Sequence, residues 1–318
     1  MEYRGPRYTI VTGKATLPVT IMFAVPAWLA GSEKAPDKIL WWGGLAATIV
    51  IAGFLLEFSN RNSLLRIRSY MIPSVFLVMA ASMTFAQTLT WNWLPPACFL
   101  LAYYSAFLSY QNYRSQGYSF HTFAFLGIGA LVFPQMLYFA PLFLFFMLVQ
   151  LRSMSAKSFV ASLLGLSIPI VLRETYFLLN GTTTKIDGFW LALQTFAPID
   201  YTILDEHRMV SAAFVIIISA VAMIHFMRTK FNDKIRTRMF FYVIMLNEIA
   251  LMSFIALQPQ HFDVLFRLLV VNSSILIAHH LTFARNIVAD IYFYVLFALF
   301  CFLAFYNFTG YSFGIWPL

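Results

Sequence analysis

Runs of about 20 mainly apolar residues recur along the chain, separated by short polar links, and this pattern constrains the fold more than any other feature. A helix needs roughly 20 residues to cross a hydrocarbon core. The runs are continuously apolar, without the ten-residue alternation of an outer-membrane barrel strand. The sequence therefore predicts an all-α, polytopic helical transmembrane protein of about 11 spans, within a range of 9–12: 15–31, 39–57, 70–87, 92–110, 120–134, 136–151, 158–178, 209–227, 238–257, 264–282 and 288–308. Little more than Phe133–Pro134 separates the fifth from the sixth. Pro169 interrupts the seventh, where proline kinks a membrane helix without excluding it.

Charge is sparse and unevenly placed. Only 11% of residues are charged, against about 25% in soluble domains. The net charge of +8 sits in the links, as the positive-inside rule describes, and this excludes nucleic acid as a partner. With a cytosolic N-terminus, all but Lys34, Lys38, Arg173, Lys185, Arg208 and Arg267 of the 21 Lys and Arg residues fall on the cytosolic side. That bias predicts an odd number of spans. Arg4, Arg7 and Lys14 precede an apolar stretch holding Pro18 and Pro26, but further apolar segments follow at once, so no cleavable signal is expected.

Three regions follow: a seven-span membrane part at 1–178, an extracytoplasmic loop at 179–208, and a four-span part at 209–318. Within the loop, Phe189–Phe196 is too short to cross and reads as an interfacial or re-entrant helix.

Ionisable residues inside or beside spans are the candidates for function. Glu248, next to Asn247 in the ninth span, is costly at membrane depth; it reads as a substrate grip or proton relay, or as a structural Asn–Glu pair between helices. Arg173 and Glu174 end the seventh span, and Asp200, Asp205, Glu206, His207 and Arg208 lead into the eighth. In an external cleft, Arg173 and Arg208 would bind a phosphate or pyrophosphate, with Glu174 beside them. Asp200, Glu206 or His207 would accept a proton from an acceptor hydroxyl. The plainer reading is a solvated helix start with acids at its N-terminus.

Glu57, Asn60, Arg61, Asn62, Arg66 and Arg68 form a polar cluster suited to lipid headgroups, a partner, or simply topology. His279 and His280 point apart on a helix and make a poor two-ligand metal site unless His225 or another group joins them. Cys98 and Cys301 read as packed thiols. No metal or cofactor is expected, and no nucleotide-binding motif is present.

The stretches FSNRNSLLRIRSYMIPSVFLVMAAS and FAFLGIGALVFPQMLYFAPLFLFFMLVQLRSMSAKSFVASLLGLSIPIVLRETYFL resemble a poorly characterised family of polytopic inner-membrane proteins from Bacteroidota. Asn60, Asn62, Arg152 and Pro169 match its recurring positions, mainly over residues 45–180. The resemblance implies a multi-pass inner-membrane location and a fold style, and no catalytic assignment. The expected function is an integral component of a cell-envelope assembly or export pathway. The alternatives are a transferase or polymerase acting on a polyprenyl-phosphate-linked glycan, and a proton-coupled secondary transporter using Glu248. Expected partners are membrane lipids together with such a glycan or other envelope proteins.

Overall fold

The computed structural model describes residues 10–11, 13, 16–32, 37–67, 69–284 and 287–312. Arg4, Arg7, Lys14, Lys34, Arg68 and Arg285, which entered the charge count, lie outside the described residues. All the regular structure described is helical.

Six helices among the described residues are long and apolar enough to cross a membrane: Lys38–Asn62, Ala156–Leu179, Glu206–Asn232, Ile235–Leu257, Pro259–Phe283 and Ile287–Thr309. The chain is a polytopic, all-helical integral membrane protein with six such helices among the described residues, and the expectation of about 11 spans is corrected. The cytosolic N-terminus was counted over eleven crossing helices and loses its basis with them. The cause is local. Among the described residues the other apolar runs form helices that are too short, reaching only about 17–26 Å at about 1.5 Å per residue.

The helices are labelled here in chain order. The first compact unit comprises Met1–Thr90, Asp200–Lys234 and Leu269–Leu318. It contains α1 (Thr16–Ser32), α2 (Lys38–Asn62) and α3 (Met71–Ser82). Asp37 caps α2 by accepting from the backbone N–H groups of Ile39 and Leu40, the usual role of an acid at that position. Trp41 Nε1 donates to the Trp28 carbonyl at 3.2 Å and ties α2 to α1. Helix α3 stops at Ser82, and irregular chain then returns to α2, where Leu89 N donates to the Leu40 carbonyl at 2.8 Å. Gly44 permits that return, because a Cβ there would lie 1.7 Å from the Gln87 carbonyl oxygen. Non-helical backbone in such a protein must be satisfied by other protein groups. Gln87 Nε2 donates to Ala81 O, and Asn307 Nδ2 to Ser82 O.

The second unit comprises Trp91–Ile199 and Ile235–Leu268. It holds α4 (Leu94–Leu108), α5 (Gln116–Ala130), α6 (Phe139–Val149), α7 (Ala156–Leu179), α8 (Thr183–Gln194) and α10 (Ile235–Leu257). Helices α5 and α7 approach closely over glycines: a Cβ on Gly165 would lie 2.3 Å from Phe120 O, and one on Gly127 2.8 Å from Leu166 O. Small residues at membrane-helix crossings permit this proximity. Helix α5 ends at Ala130, and before α6 Pro134–Tyr138 forms a 3₁₀ turn.

Helix α9 (Glu206–Thr229) and helix α12 (Ile287–Thr309) belong to the first unit. Helix α11 (Phe262–Phe283) starts in the second unit and continues in the first, and its most apolar stretch is wholly buried.

Candidate functional site

The second half of α7 and the short helix α8 form an open cleft of about 350 Å³. Ser167, Ile170, Val171, Glu174, Thr175 and Leu178 line it from α7. Their spacing of three and four residues puts them on one helical face. Helix α8 contributes Ile186 and Trp190, four residues apart and therefore on one face as well.

Arg173 sets the spacing between the two helices. Its guanidinium lies 4.8 Å from the Phe177 ring centre and 4.6 Å from that of Phe189. It donates to Glu174 Oε1 at 2.6 Å and to the Lys185 carbonyl at 3.1 Å. A planar guanidinium with several donors and two stacking faces suits this task better than a lysine. The other end of α8 is held by Gln135, whose Nε2 donates to Ala192 O at 3.0 Å, and by the Tyr138 hydroxyl, which donates to Leu193 O. Glu174 Oε2 is covered and accepts no hydrogen bond. An acceptor left in that state costs about 1–3 kcal/mol.

The other candidates are engaged locally. Asp200 caps a 3₁₀ turn, accepting from Thr202 N at 2.9 Å and Thr202 Oγ1 at 2.6 Å. These bonds hold its carboxyl below the ordinary 3.8. Glu206 is buried at the start of α9. The Tyr306 hydroxyl donates to its Oε1 at 2.9 Å and Ser312 Oγ to its Oε2 at 2.5 Å. The His207 ring packs 4.5 Å from that of Tyr306. Arg208 pairs with Asp205 at 3.5 Å and lies 5.8 Å from the Phe85 ring centre. Asp205, Glu206, His207 and Arg208 thus anchor the first turn of α9, with α12 supplying Tyr306.

Glu248 and Asn247 are fully buried in the second unit, as is Tyr103. The Tyr103 ring sits among Phe99, Phe107 and Phe143 at 4.9–5.6 Å. An acid at mid-helix is therefore enclosed by protein.

A second polar centre, in the first unit, brings together residues that the sequence kept apart. The Asp233 side chain is fully buried. Arg66 Nε donates to its Oδ1 at 2.6 Å, and His279 Nε2 lies 3.4 Å from its Oδ2. Burial alone would push this carboxyl up, but the interactions with His279 and Arg66 outweigh it and hold it below the ordinary value. The Arg66 guanidinium also covers Phe283 at 4.8 Å. Close by in sequence, the His280 ring meets His225 at 4.3 Å and Tyr292 at 5.1 Å. His225 does join His280, yet among the described residues no three His, Cys, Asp or Glu side chains gather as a metal-binding group. Asp233 was missed because it is one acid amid the basic stretch 228–238, where its charge reads as a loop residue. No family, no curated protein and no solved structure matches this chain.

Proposed function

We propose that this membrane protein serves as a non-catalytic integral component of a cell-envelope assembly or export pathway in the inner membrane. The supporting observation is the engagement of the acids and arginines that a glycan transferase would need free. Asp200 caps its own turn, Glu206 accepts from Tyr306 and Ser312, and Arg173 is held by two rings, a carboxylate and a carbonyl. A phosphate-binding arginine would have to surrender all of those contacts. Mild extraction into nanodiscs, followed by mass spectrometry of what stays bound, tests the reading. A stoichiometric envelope-protein partner supports it. A retained lipid-linked glycan that is lost on Arg208→Ala would shift the assignment to transfer chemistry.

One observation favours a second reading. Glu248 is an ionisable group fully buried within α10, and such groups in membrane helices mark proton or ion pathways. In this reading the protein is a proton-coupled transporter. Proteoliposomes carrying a pH-sensitive dye would show proton uptake that Glu248→Gln abolishes. Equal and negligible flux in both proteins would remove transport and leave Glu248 as a packing acid.

A further inference from the structure

Three of the long helices have ends in the first unit that lie beside one another. Arg66 follows the end of α2 at Asn62 by four residues, and Asp233 follows the end of α9 at Thr229 by four. His279 precedes the end of α11 at Phe283 by four. These residues meet: Arg66 Nε lies 2.6 Å from Asp233 Oδ1, and His279 Nε2 lies 3.4 Å from Asp233 Oδ2. The ends of helices long enough to cross a hydrocarbon core lie at the depth of lipid headgroups. Phe231, 76% exposed in the turn after α9, presents an aromatic ring there, as interfacial segments do.

The one acid of this turn faces inward. From Arg228 to Lys234 the chain reads RTKFNDK, and the Asp233 side chain is fully buried. Arg228 and Lys234 are exposed and bond to no described residue. The outer surface of the turn therefore carries positive charge with no acid of its own to offset it. Arg66 is built to read an anion. Asp233 holds its Nε edge, and the Phe283 ring centre lies 4.8 Å from the guanidinium, so both edge and plane are fixed. Its side chain is 38% exposed, and its two terminal nitrogens donate to no described residue. A guanidinium so oriented offers paired N–H donors to a phosphate. The surrounding cations favour a head with net negative charge and repel the ammonium of a zwitterion.

We propose that Arg66, oriented by Asp233, binds the phosphate of one anionic phospholipid, with Arg228 and Lys234 supplying the surrounding positive charge. Asp233 is a positioning residue, touching the guanidinium and not the lipid. The site does not depend on which partner the protein serves, so its test is separate from the partner search.

The intact protein is placed in nanodiscs of equimolar phosphatidylglycerol, phosphatidylcholine and phosphatidylethanolamine, with inorganic phosphate in the buffer. Native mass spectrometry identifies what stays bound. The expected result is one phosphatidylglycerol per chain, enriched about tenfold over the zwitterionic lipids, as a charge-assisted hydrogen bond provides. Arg66→Lys keeps the charge but not the planar fork, and brings the enrichment down to about twofold. Asp233→Asn separates an oriented site from bulk attraction. It makes the protein more positive, so attraction by net charge alone would raise the enrichment, whereas loss of the guanidinium's anchor lowers it. Arg66→Lys keeps the proposal testable if Asp233→Asn fails to fold. Parity in the unmodified protein, retention of inorganic phosphate in place of lipid, full enrichment in Arg66→Lys, or a rise in Asp233→Asn would overturn it.

Discussion

At the scale of single residues, the buried ionisable groups act mainly by holding other residues. Asp233 joins the chain after α2, through Arg66, to the end of α11, through His279. Its folded carboxyl lies below the ordinary 3.8, so its stabilisation is fully present above about pH 3.8 and is lost as pH falls through the lower folded value. Asp233→Asn is expected to cost about 1–2 kcal/mol at neutral pH, a figure reduced because Arg66 is partly exposed. The loss should shrink only below about pH 3.8, and thermal melts in detergent from about pH 2 to 7 would show the two curves converging at the acid end. A melt difference that stays constant over this range would mean that the carboxyl does not titrate with folding. Tyr306→Phe removes one donor from the buried Glu206 carboxylate and should cost about 1–3 kcal/mol. Retained Tm in that variant would place the Glu206 anchor elsewhere.

At the scale of helices, small residues and breaks decide which segments pack and which cross. Gly165 faces the Phe120 carbonyl so closely that Gly165→Ala must push α5 away from α7. It should lower stability by about 1–3 kcal/mol, as overpacking does. Gly53 in α2 has open space where a Cβ would go. There Gly53→Ala should be neutral or raise stability by up to about 1 kcal/mol from helix propensity. Melting the pair side by side separates packing from propensity, and equal shifts would count against the close α5–α7 crossing. Helix α8 carries a different dependence. Arg173→Ala removes its anchor at Lys185 O, and limited proteolysis between 180 and 195 should speed up while cleavage elsewhere stays unchanged.

At the scale of the whole molecule, the membrane path of the chain is the property to measure. Helix α2 has the length to cross, and Leu89 N returns to the Leu40 carbonyl near its start. Ile39→Cys and Ser63→Cys should therefore react with an impermeant thiol reagent from opposite sides of sealed vesicles. Thr90→Cys should share the side of Ile39→Cys. These tests belong in a Cys301→Ser background, since Cys301 is exposed and Cys98 buried. Reaction of positions 39 and 63 from one side would rule out α2 as a crossing helix.

The sequence by itself determined the solvent and the class of secondary structure, because 61% apolar residues gathered in long runs have no stable alternative to helices in a bilayer. It also located the six long helices to within about five residues, since their helices run through the whole apolar stretch, Pro169 included. Tertiary structure decided the rest. Hydropathy registers that a segment is apolar but not what satisfies its backbone. Apolar runs such as 70–87 and 136–151 are therefore indistinguishable from spans until Asn307, Gln87 and the turn at Pro134 show where the helix stops. The α7 face of the cleft was written in the spacing of Ser167, Ile170, Val171, Glu174, Thr175 and Leu178. What lay across from it was not, because the facing Trp190 is brought there by Arg173, a residue that reads in sequence as a charge for a ligand and serves in the fold as a spacer between two helices.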